Sequence, residues 1–180
     1  SSPQISTQDS VGSAIGQGNN AYTVSQIARY VTAVANSGTV YSLTLIDKTT
    51  DSEGNLIKDY SAEVVNSLDD VSDSTWSLVH EGMERVVSHS STFRGYDLSM
   101  AGKTGTAQQS SVHPDHGLFV GYAPTDSPQI AIATRIAYGY SSSYAAEVSR
   151  DLARIYFDPD LKDELITGQA AGLGAATTGD

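Results

Sequence analysis

The chain has 180 residues, of which 39% are hydrophobic and 17% charged, a balance typical of a globular domain. Its formal net charge is −11 and its ten Lys and Arg residues are scattered, which argues against a nucleic-acid surface because such surfaces need clustered cations. The absence of cysteine excludes thiol catalysis, disulfides and Cys-ligated metals within the chain. The sequence contains no apolar run of the roughly 18 residues that a membrane span needs.

The first part of the chain predicts a loop and then a helix. Residues 1–20 are polar and glycine-rich, as loops are. Apolar side chains then recur at helical spacing over 23–36. Thr23 and Gln26 form a capping box at the start of this helix, and the Asn-Ser-Gly segment after it favours a stop.

A strand pair and a second helix are predicted next. Residues 41–60 alternate between polar and apolar side chains and break at 51–54, which predicts two strands joined by a turn. A helix is predicted to follow Asp73 or Ser74, because its apolar side chains share one face. These side chains belong to Trp76, Val79, Met83, Val86 and Val87.

Three strands are predicted in close succession, over about 98–108, 117–123 and 129–138. Their short connections favour an antiparallel meander over a crossover unit. Since Ile130–Ala137 is apolar on both faces except at two positions, we expect it to lie inside a sheet that is covered on both sides.

A closing helix is predicted at 144–157 and is expected to pack on this sheet, with the apolar side chains of Val148, Leu152, Ile155 and Tyr156. The residues 167–180 are low in complexity and are predicted to be disordered. The order of the elements predicts an α+β fold, in which an antiparallel sheet of three strands is flanked by helices.

The segment Lys103-Thr104-Gly105-Thr106 lies on the first of these three strands. A glycine on a strand lets a ligand or another backbone come close. Hydroxyls at 104 and 106 alternate onto one face, where they are able to bind a carboxylate, and a lysine beside them supplies positive potential or moves a proton. The alternative is a solvated edge strand that uses its lysine to discourage aggregation.

Three sequence blocks set this segment in a wider context. They are I-G-Q-G at 15–18, A-G-K-T-G-T-A-Q at 101–108 and H-G-L-F-V-G-Y-A-P at 116–124. In this order, from about Ser13 to Tyr156, the chain resembles the transpeptidase domain of class B penicillin-binding proteins, which cross-link the bacterial cell wall. The resemblance implies a fold of the serine β-lactamase-like superfamily.

That family uses the motifs S-x-x-K, S-x-N and K-T-G, and its serine is acylated by a D-Ala-D-Ala peptide or a β-lactam. The first two motifs are absent here: no lysine has a serine three residues before it, and no serine is followed two residues later by asparagine. In the family both motifs precede K-T-G. We therefore expect residues 1–166 to be the C-terminal portion of a transpeptidase domain that is inactive alone.

The resemblance also implies roles for the K-T-G segment. Lys103 would line the cleft and join its electrostatic and proton network. Thr104, Gly105 and Thr106 would bind the substrate, with the two hydroxyls on its carboxylate. The backbone N–H of Thr106 would be one donor of the oxyanion hole. No cofactor is implied, and the His113 and His116 pair is a weak metal motif because it lacks a third ligand.

The implied ligands are peptidoglycan stem peptides and β-lactams, and the implied partner is a glycosyltransferase of the wall-synthesis machinery. The complete protein would be anchored in the membrane and work on its extracytoplasmic face. Loss of the remaining strands of the sheet would leave an exposed edge, so the chain is expected to self-associate. The alternatives are a non-catalytic β-lactam-binding, peptidoglycan-binding or sensor module of the same fold and, less favoured, a β-lactamase.

Overall fold

The computed structural model describes residues 21–109 and 111–168. The predicted loop at 1–20 and nearly all of the predicted tail lie outside these residues. The described helices are α1 (Val24–Ala35), α2 (Asp73–His89), α3 (Ser142–Phe157) and α4 (Lys162–Leu165), with 3-10 turns at Ser91–Phe93 and Pro159–Leu161. None of the helices in this part of the chain is long and apolar enough to cross a bilayer.

Seven strands form three small sheets in the described residues. The strands are β1 (Thr39–Tyr41), β2 (Lys48–Thr50), β3 (Leu56–Asp59), β4 (Val64–Ser67), β5 (Ala101–Ala107), β6 (His116–Ala123) and β7 (Ile130–Ile136). β1 pairs with β4, β2 pairs with β3, and the three-stranded sheet has the order β5-β6-β7, with all pairs antiparallel. The α+β class and the antiparallel meander are thereby confirmed.

Helix α1 has both of the signals that the sequence predicts. The Gln26 N–H donates to Thr23 Oγ1 at 3.1 Å, and the Thr23 N–H donates to Gln26 Oε1 at 2.8 Å. At the other end the Gly38 N–H donates to the Ala33 carbonyl at 2.8 Å, with Gly38 at φ +106°, a region that glycine adopts at little cost. The helix therefore begins and ends through local chemistry.

The predicted strand pair is confirmed as the β2–β3 hairpin. Its turn is held by Asp51 Oδ1, which accepts the N–H groups of Glu53 and Asn55 at 2.9 Å each. The outer pair, β1 with β4, was not predicted, because each strand has only three or four residues and its partner is more than 20 residues away. Large apolar side chains of this region, such as Leu45 and Ile57, remain exposed.

The three-stranded sheet is shorter than the sequence predicts. β5 begins at Ala101 rather than 98, because Ser99 turns aside and its Oγ accepts the Thr125 N–H at 3.1 Å. β7 ends at Ile136 rather than 138, because Tyr138 adopts φ +55° and leaves the strand. The register between β5 and β6 runs without a bulge from Ala101, opposite Tyr122, to Ala107, opposite His116.

The core lies on both faces of this sheet. On one face α3 packs against β6 and β7 over a cluster that includes Phe93, Met100 and Phe119. On the other face α1 packs against β6 and β7, α2 covers β5, and Val31 and Tyr122 are buried. Helices thus pack on both faces of β7, as predicted, although Arg135 and Ala137 are exposed. β7 is an edge strand of the described sheet and does not lie inside it.

Helix α3 packs on the sheet through a face that the sequence did not predict. Its buried residues are small: Ala145, Ala146, Ser149 and Ala153. The apolar residues that were expected to pack, Val148, Leu152 and Tyr156, are instead 43%, 49% and 53% exposed. The start of the helix lies close against β6, since a Cβ on Gly117 would come within 2.4 Å of the carbonyl oxygen of Ser141, the residue that caps the helix.

Candidate active site

The K-T-G segment lies in the middle of β5, at the edge of the three-stranded sheet. Within residues 21–109 and 111–168, β5 pairs with β6 and with no other strand. Lys103 lies opposite Val120, and Thr104 lies opposite Phe119. Directly opposed residues of an antiparallel pair point to the same face, and successive residues alternate between faces.

This register sorts the functional side chains. Phe119 belongs to the core beneath α3, so Thr104 and Thr106 point to the α3 face. Val120 packs with the cluster beneath α1 and α2, so Lys103 and Gly105 point to that opposite face. The two hydroxyls therefore share one face, as the sequence predicts, while the lysine lies on the other.

Lys103 presents its charge to solvent. Its side chain is exposed, and its Nζ donates to the Thr104 carbonyl at 2.8 Å. In the described part of the chain it forms no salt bridge. An exposed cation without a carboxylate partner remains able to bind an anionic ligand.

The two glycines of β5 differ in what they leave room for. A Cβ on Gly102 would lie 2.2 Å from Phe119 Cζ and 2.9 Å from the Val120 carbonyl oxygen, so the core itself requires glycine there. A Cβ on Gly105 would meet only Leu118 Cβ, at 3.6 Å, which is an ordinary contact. Packing within the described chain therefore does not require glycine at 105.

The far end of β5 is held by His116, a buried residue that lies opposite Ala107. The Tyr138 N–H donates to His116 Nδ1 at 3.0 Å, and Nε2 lies 2.7 Å from Gln109 Oε1. Arg135 Nη2 is 3.1 Å from the same Nε2. These partners are 7 to 22 residues away along the chain, so no local sequence signal reveals them.

The two histidines of the H-x-x-H segment both contact Tyr138. The ring centroids of His113 and Tyr138 are 5.1 Å apart, and those of His116 and Tyr138 are 4.9 Å apart. Across residues 21–109 and 111–168 no group of three or more His, Cys, Asp or Glu side chains is placed to hold a metal ion. The histidine spacing thus corresponds to an aromatic cluster around Tyr138.

Tyr122 is the fully buried aromatic residue beneath the Lys103 face. Its ring packs edge-on against His80, with centroids 5.7 Å apart, and its hydroxyl has no hydrogen-bond partner among the described atoms. Burial, together with the charge of Glu84, raises the pKa of the Tyr122 hydroxyl to about 12. The phenol is therefore a packing residue rather than an acid or base at neutral pH.

A separate cavity of about 500 Å³ opens at the other end of the sheet, where β5 begins and β6 ends. Tyr96 lines it and packs against two guanidinium groups, with Arg150 Cζ 4.3 Å and Arg154 Cζ 4.6 Å from its ring centroid. The hydrogen bond from Arg150 to Asp151 raises the pKa of that guanidinium. These contacts are structural and lie apart from the K-T-G segment.

Comparisons with known proteins identify the family of the chain. Residues 1–154 match the family described as the penicillin binding protein transpeptidase domain. Penicillin-binding protein 2B of Streptococcus pneumoniae is 29% identical over 163 residues, covering 81% of this chain and 24% of that protein. The peptidoglycan D,D-transpeptidase MrdA of Acinetobacter baumannii is 30% identical over 159 residues, covering 79% of this chain and 23% of that protein.

A solved structure shows the same fold. Penicillin-binding protein A of Mycobacterium tuberculosis, in its imipenem acyl-enzyme complex, superposes with a TM-score of 0.73 at 22% identity, covering 82% of this chain and 33% of that one. The chain belongs to the penicillin-binding protein transpeptidase domain family. It spans about a quarter of the length of the relatives that it matches.

Proposed function

We propose that this chain is the C-terminal part of a peptidoglycan D,D-transpeptidase that works through a serine acyl-enzyme and binds β-lactams. The observation that carries the proposal is the edge strand β5, with Lys103 on one face and Thr104 and Thr106 on the other. A peptide or β-lactam laid along this edge meets a cation, two hydroxyls and a glycine that leaves room for close approach.

The proposed reaction begins with a serine that lies outside these 180 residues. Its Oγ attacks the carbonyl carbon of the D-Ala-D-Ala bond, the terminal D-Ala leaves, and an ester with the enzyme forms. The amine of a second stem peptide then attacks the ester, which creates the cross-link and releases the serine. A β-lactam takes the same first step through its strained amide.

The chain supplies one wall of this site. Lys103 contributes positive potential and takes part in proton transfer, while Thr104 and Thr106 hold the carboxylate of the substrate. The Thr106 N–H and the N–H of the missing serine form the oxyanion hole, in which one such donor is typically worth about 3–4 kcal/mol. Without the serine and its lysine, the chain alone is not acylated.

A labelling experiment tests both statements. The 180-residue chain and a polypeptide extended upstream by about one domain length are each incubated with a fluorescent penicillin. The proposal expects stoichiometric labelling of the longer polypeptide, abolished by prior boiling, and none of the shorter one. Stoichiometric labelling of the 180-residue chain would contradict its inactivity, and an unlabelled longer polypeptide that contains S-x-x-K would contradict the acyl-enzyme.

A second candidate function is a non-catalytic β-lactam-binding, peptidoglycan-binding or sensor module. It is compatible with the exposed K-T-G strand, since a binding module needs only the wall of the cleft. Equilibrium dialysis separates the two functions. Reversible retention of penicillin by the extended polypeptide, without any covalent adduct, supports the module, and a covalent adduct supports the enzyme.

We also place the complete protein on the extracytoplasmic face of the membrane, held by a single N-terminal anchor and acting beside a wall glycosyltransferase. The support is chemical, because stem peptides are cross-linked outside the cell and on strands that a glycosyltransferase extends. Protease added to spheroplasts is expected to degrade the domain. Its complete protection in unbroken spheroplasts would contradict this placement.

A further inference from the structure

We propose that His116 is a positioning residue for the K-T-G strand, because its imidazole ties the segment after Thr106 to the turn that precedes α3. His116 is buried and contacts two different segments of the chain: Gln109 through Nε2, and Tyr138 through both Nδ1 and the ring face. Only the effect of His116 on acylation rests on the proposed function. Its anchoring of β5 rests on the described contacts alone.

The hydrogen bonds fix the tautomer of the ring. A backbone N–H only donates, so the bond from the Tyr138 N–H requires that Nδ1 carries no proton. The ring proton therefore lies on Nε2, which donates to Gln109 Oε1 at 2.7 Å. Arg135 Nη2, 3.1 Å from Nε2, also carries protons, so in this tautomer it is a neighbour of the ring and not a hydrogen-bond donor to it.

These bonds hold the end of β5. His116 lies opposite Ala107, and the adjacent Gly117 lies opposite Thr106. Gln109 is two residues beyond the end of the strand, so the Nε2 bond anchors the chain as it leaves Thr106 and Ala107. On its other edge β5 has no strand partner in the described residues, so its position depends on β6, on the helix α2 that covers it and on this anchor.

The other nitrogen connects the same point to α3. Tyr138 follows β7 and adopts φ +55°, a region that costs a residue with a side chain some energy and persists when its surroundings hold it. Its N–H bond to His116 Nδ1 supplies that restraint. A second link is the Tyr140 N–H, which donates to the Asp115 carbonyl at 3.2 Å. His116 therefore joins the loop after β5 to the entrance of α3.

Position matters at Thr106 because an oxyanion donor works only when it is aimed at the developing charge. Misplacement of a reacting group by about 1 Å costs on the order of 100-fold in rate. His116 touches neither substrate nor nucleophile in the proposed reaction, so its contribution acts through the placement of β5. A change at His116 should therefore alter the Thr106 amide as well as the rate of acylation.

The first test uses the 180-residue chain and nuclear magnetic resonance. Nitrogen shifts of the His116 ring report the tautomer, with Nε2 protonated as the expected result. His116→Ala should make exchange of the Ala107 amide hydrogen about ten-fold faster, since about 1 kcal/mol per hydrogen bond is lost. Successive N–H groups of a strand point to opposite edges, so the Ala107 N–H faces β6 when the Thr106 N–H faces the open edge. His116→Asn, which places an amide oxygen near the position of Nδ1, should restore the Tyr138 bond but not the Gln109 bond, and therefore only part of the protection.

The matched control is His113→Ala. His113 stacks on the same Tyr138 ring from an exposed position and makes no hydrogen bond to it. This variant should leave exchange of the Ala107 amide within about two-fold of the unchanged chain, a difference below about 0.5 kcal/mol. Equal effects of His113→Ala and His116→Ala would overturn the inference, because they would indicate a loss of aromatic packing only.

The second test measures the rate of penicillin acylation in the extended polypeptide with the same three variants. We expect a drop of about ten-fold for His116→Ala, with rescue by His116→Asn to within about three-fold. If His116→Ala does not fold, the acylation rate and amide exchange of His116→Asn, together with the tautomer of the His116 ring, test the inference instead. A protonated Nδ1, or unchanged Ala107 exchange in His116→Ala, overturns the inference. If the unchanged polypeptide is not acylated, the proposed function fails, and amide exchange still decides the role of His116.

Discussion

Lys103 and Thr104 are neighbours on β5, yet their side chains lie on opposite faces of the sheet, because Lys103 opposes Val120 and Thr104 opposes Phe119. Inside a sheet, a single ligand could not reach both. At a strand edge it can, since the edge is open to both faces. The position of β5 at the edge of the three-stranded sheet is therefore what allows the lysine and the two threonines to serve one ligand.

The two glycines of β5 provide a matched pair of substitutions. Gly102→Ala places a Cβ against the Phe119 ring and the Val120 backbone, and should lower the free energy of unfolding by about 1–3 kcal/mol. Gly105→Ala meets only Leu118 and should change it by less than about 0.5 kcal/mol while impairing β-lactam binding in the extended polypeptide. Urea unfolding of both variants checks this, and equal destabilisation would contradict the assigned packing.

Removing the hydroxyl of Tyr122 should not destabilise the protein. A buried polar group without a partner costs roughly 1–3 kcal/mol, so Tyr122→Phe should leave the free energy of unfolding unchanged or raise it. Tyr122→Leu, which removes the ring, is the control and should destabilise. A loss of more than about 1 kcal/mol in Tyr122→Phe would mean that the hydroxyl has a partner.

The same hydroxyl predicts how stability changes at high pH. Its pKa is raised from 10.0 in the unfolded chain to about 12 in the folded one, so unfolding releases its proton throughout this window. The contribution is fully present below pH 10 and is lost as the pH rises towards 12, a total of about 2–3 kcal/mol. Urea titrations between pH 9 and 12 should therefore show a smaller decline in Tyr122→Phe, and parallel declines would refute this.

The exposed stripe on α3 predicts self-association of the chain. Tyr144, Val148, Leu152 and Tyr156 recur every four residues and are 43–53% exposed, so they form one apolar face. Light scattering after size exclusion should show dimers at high concentration, and Leu152→Glu should shift them to monomers. The control is Leu78→Glu, which changes an exposed apolar residue of α2 and should leave the dimers intact. A chain that stays monomeric at every concentration would contradict the prediction.

Local signals explain the parts of the fold that the sequence predicts well. The capping box of Thr23 and Gln26 and the glycine at 38 fix α1 within one or two residues, because all their partners are within five residues. The meander follows from short connections between apolar strands. The roles assigned to the K-T-G residues come from family resemblance, and they remain predictions.

The parts that the sequence did not predict depend on distant contacts. α3 faces the sheet with alanines because Gly117 brings the backbones together, a closeness that becomes visible only when both elements are placed. The prediction for α3 was wrong because it assumed that the largest apolar residues of the helix face the core. The bonds of His116 to Gln109 and Tyr138 likewise require the finished sheet, since Tyr138 is 22 residues away.

The role of the K-T-G strand in acylation can be tested by the intact mass of the extended polypeptide after incubation with penicillin, with and without Lys103→Ala. We expect one adduct per chain in the unchanged protein and its loss in Lys103→Ala. Lys48→Ala, which removes an exposed lysine on β2, should acylate normally. An adduct that forms equally fast and completely in Lys103→Ala would place the K-T-G strand outside the active site.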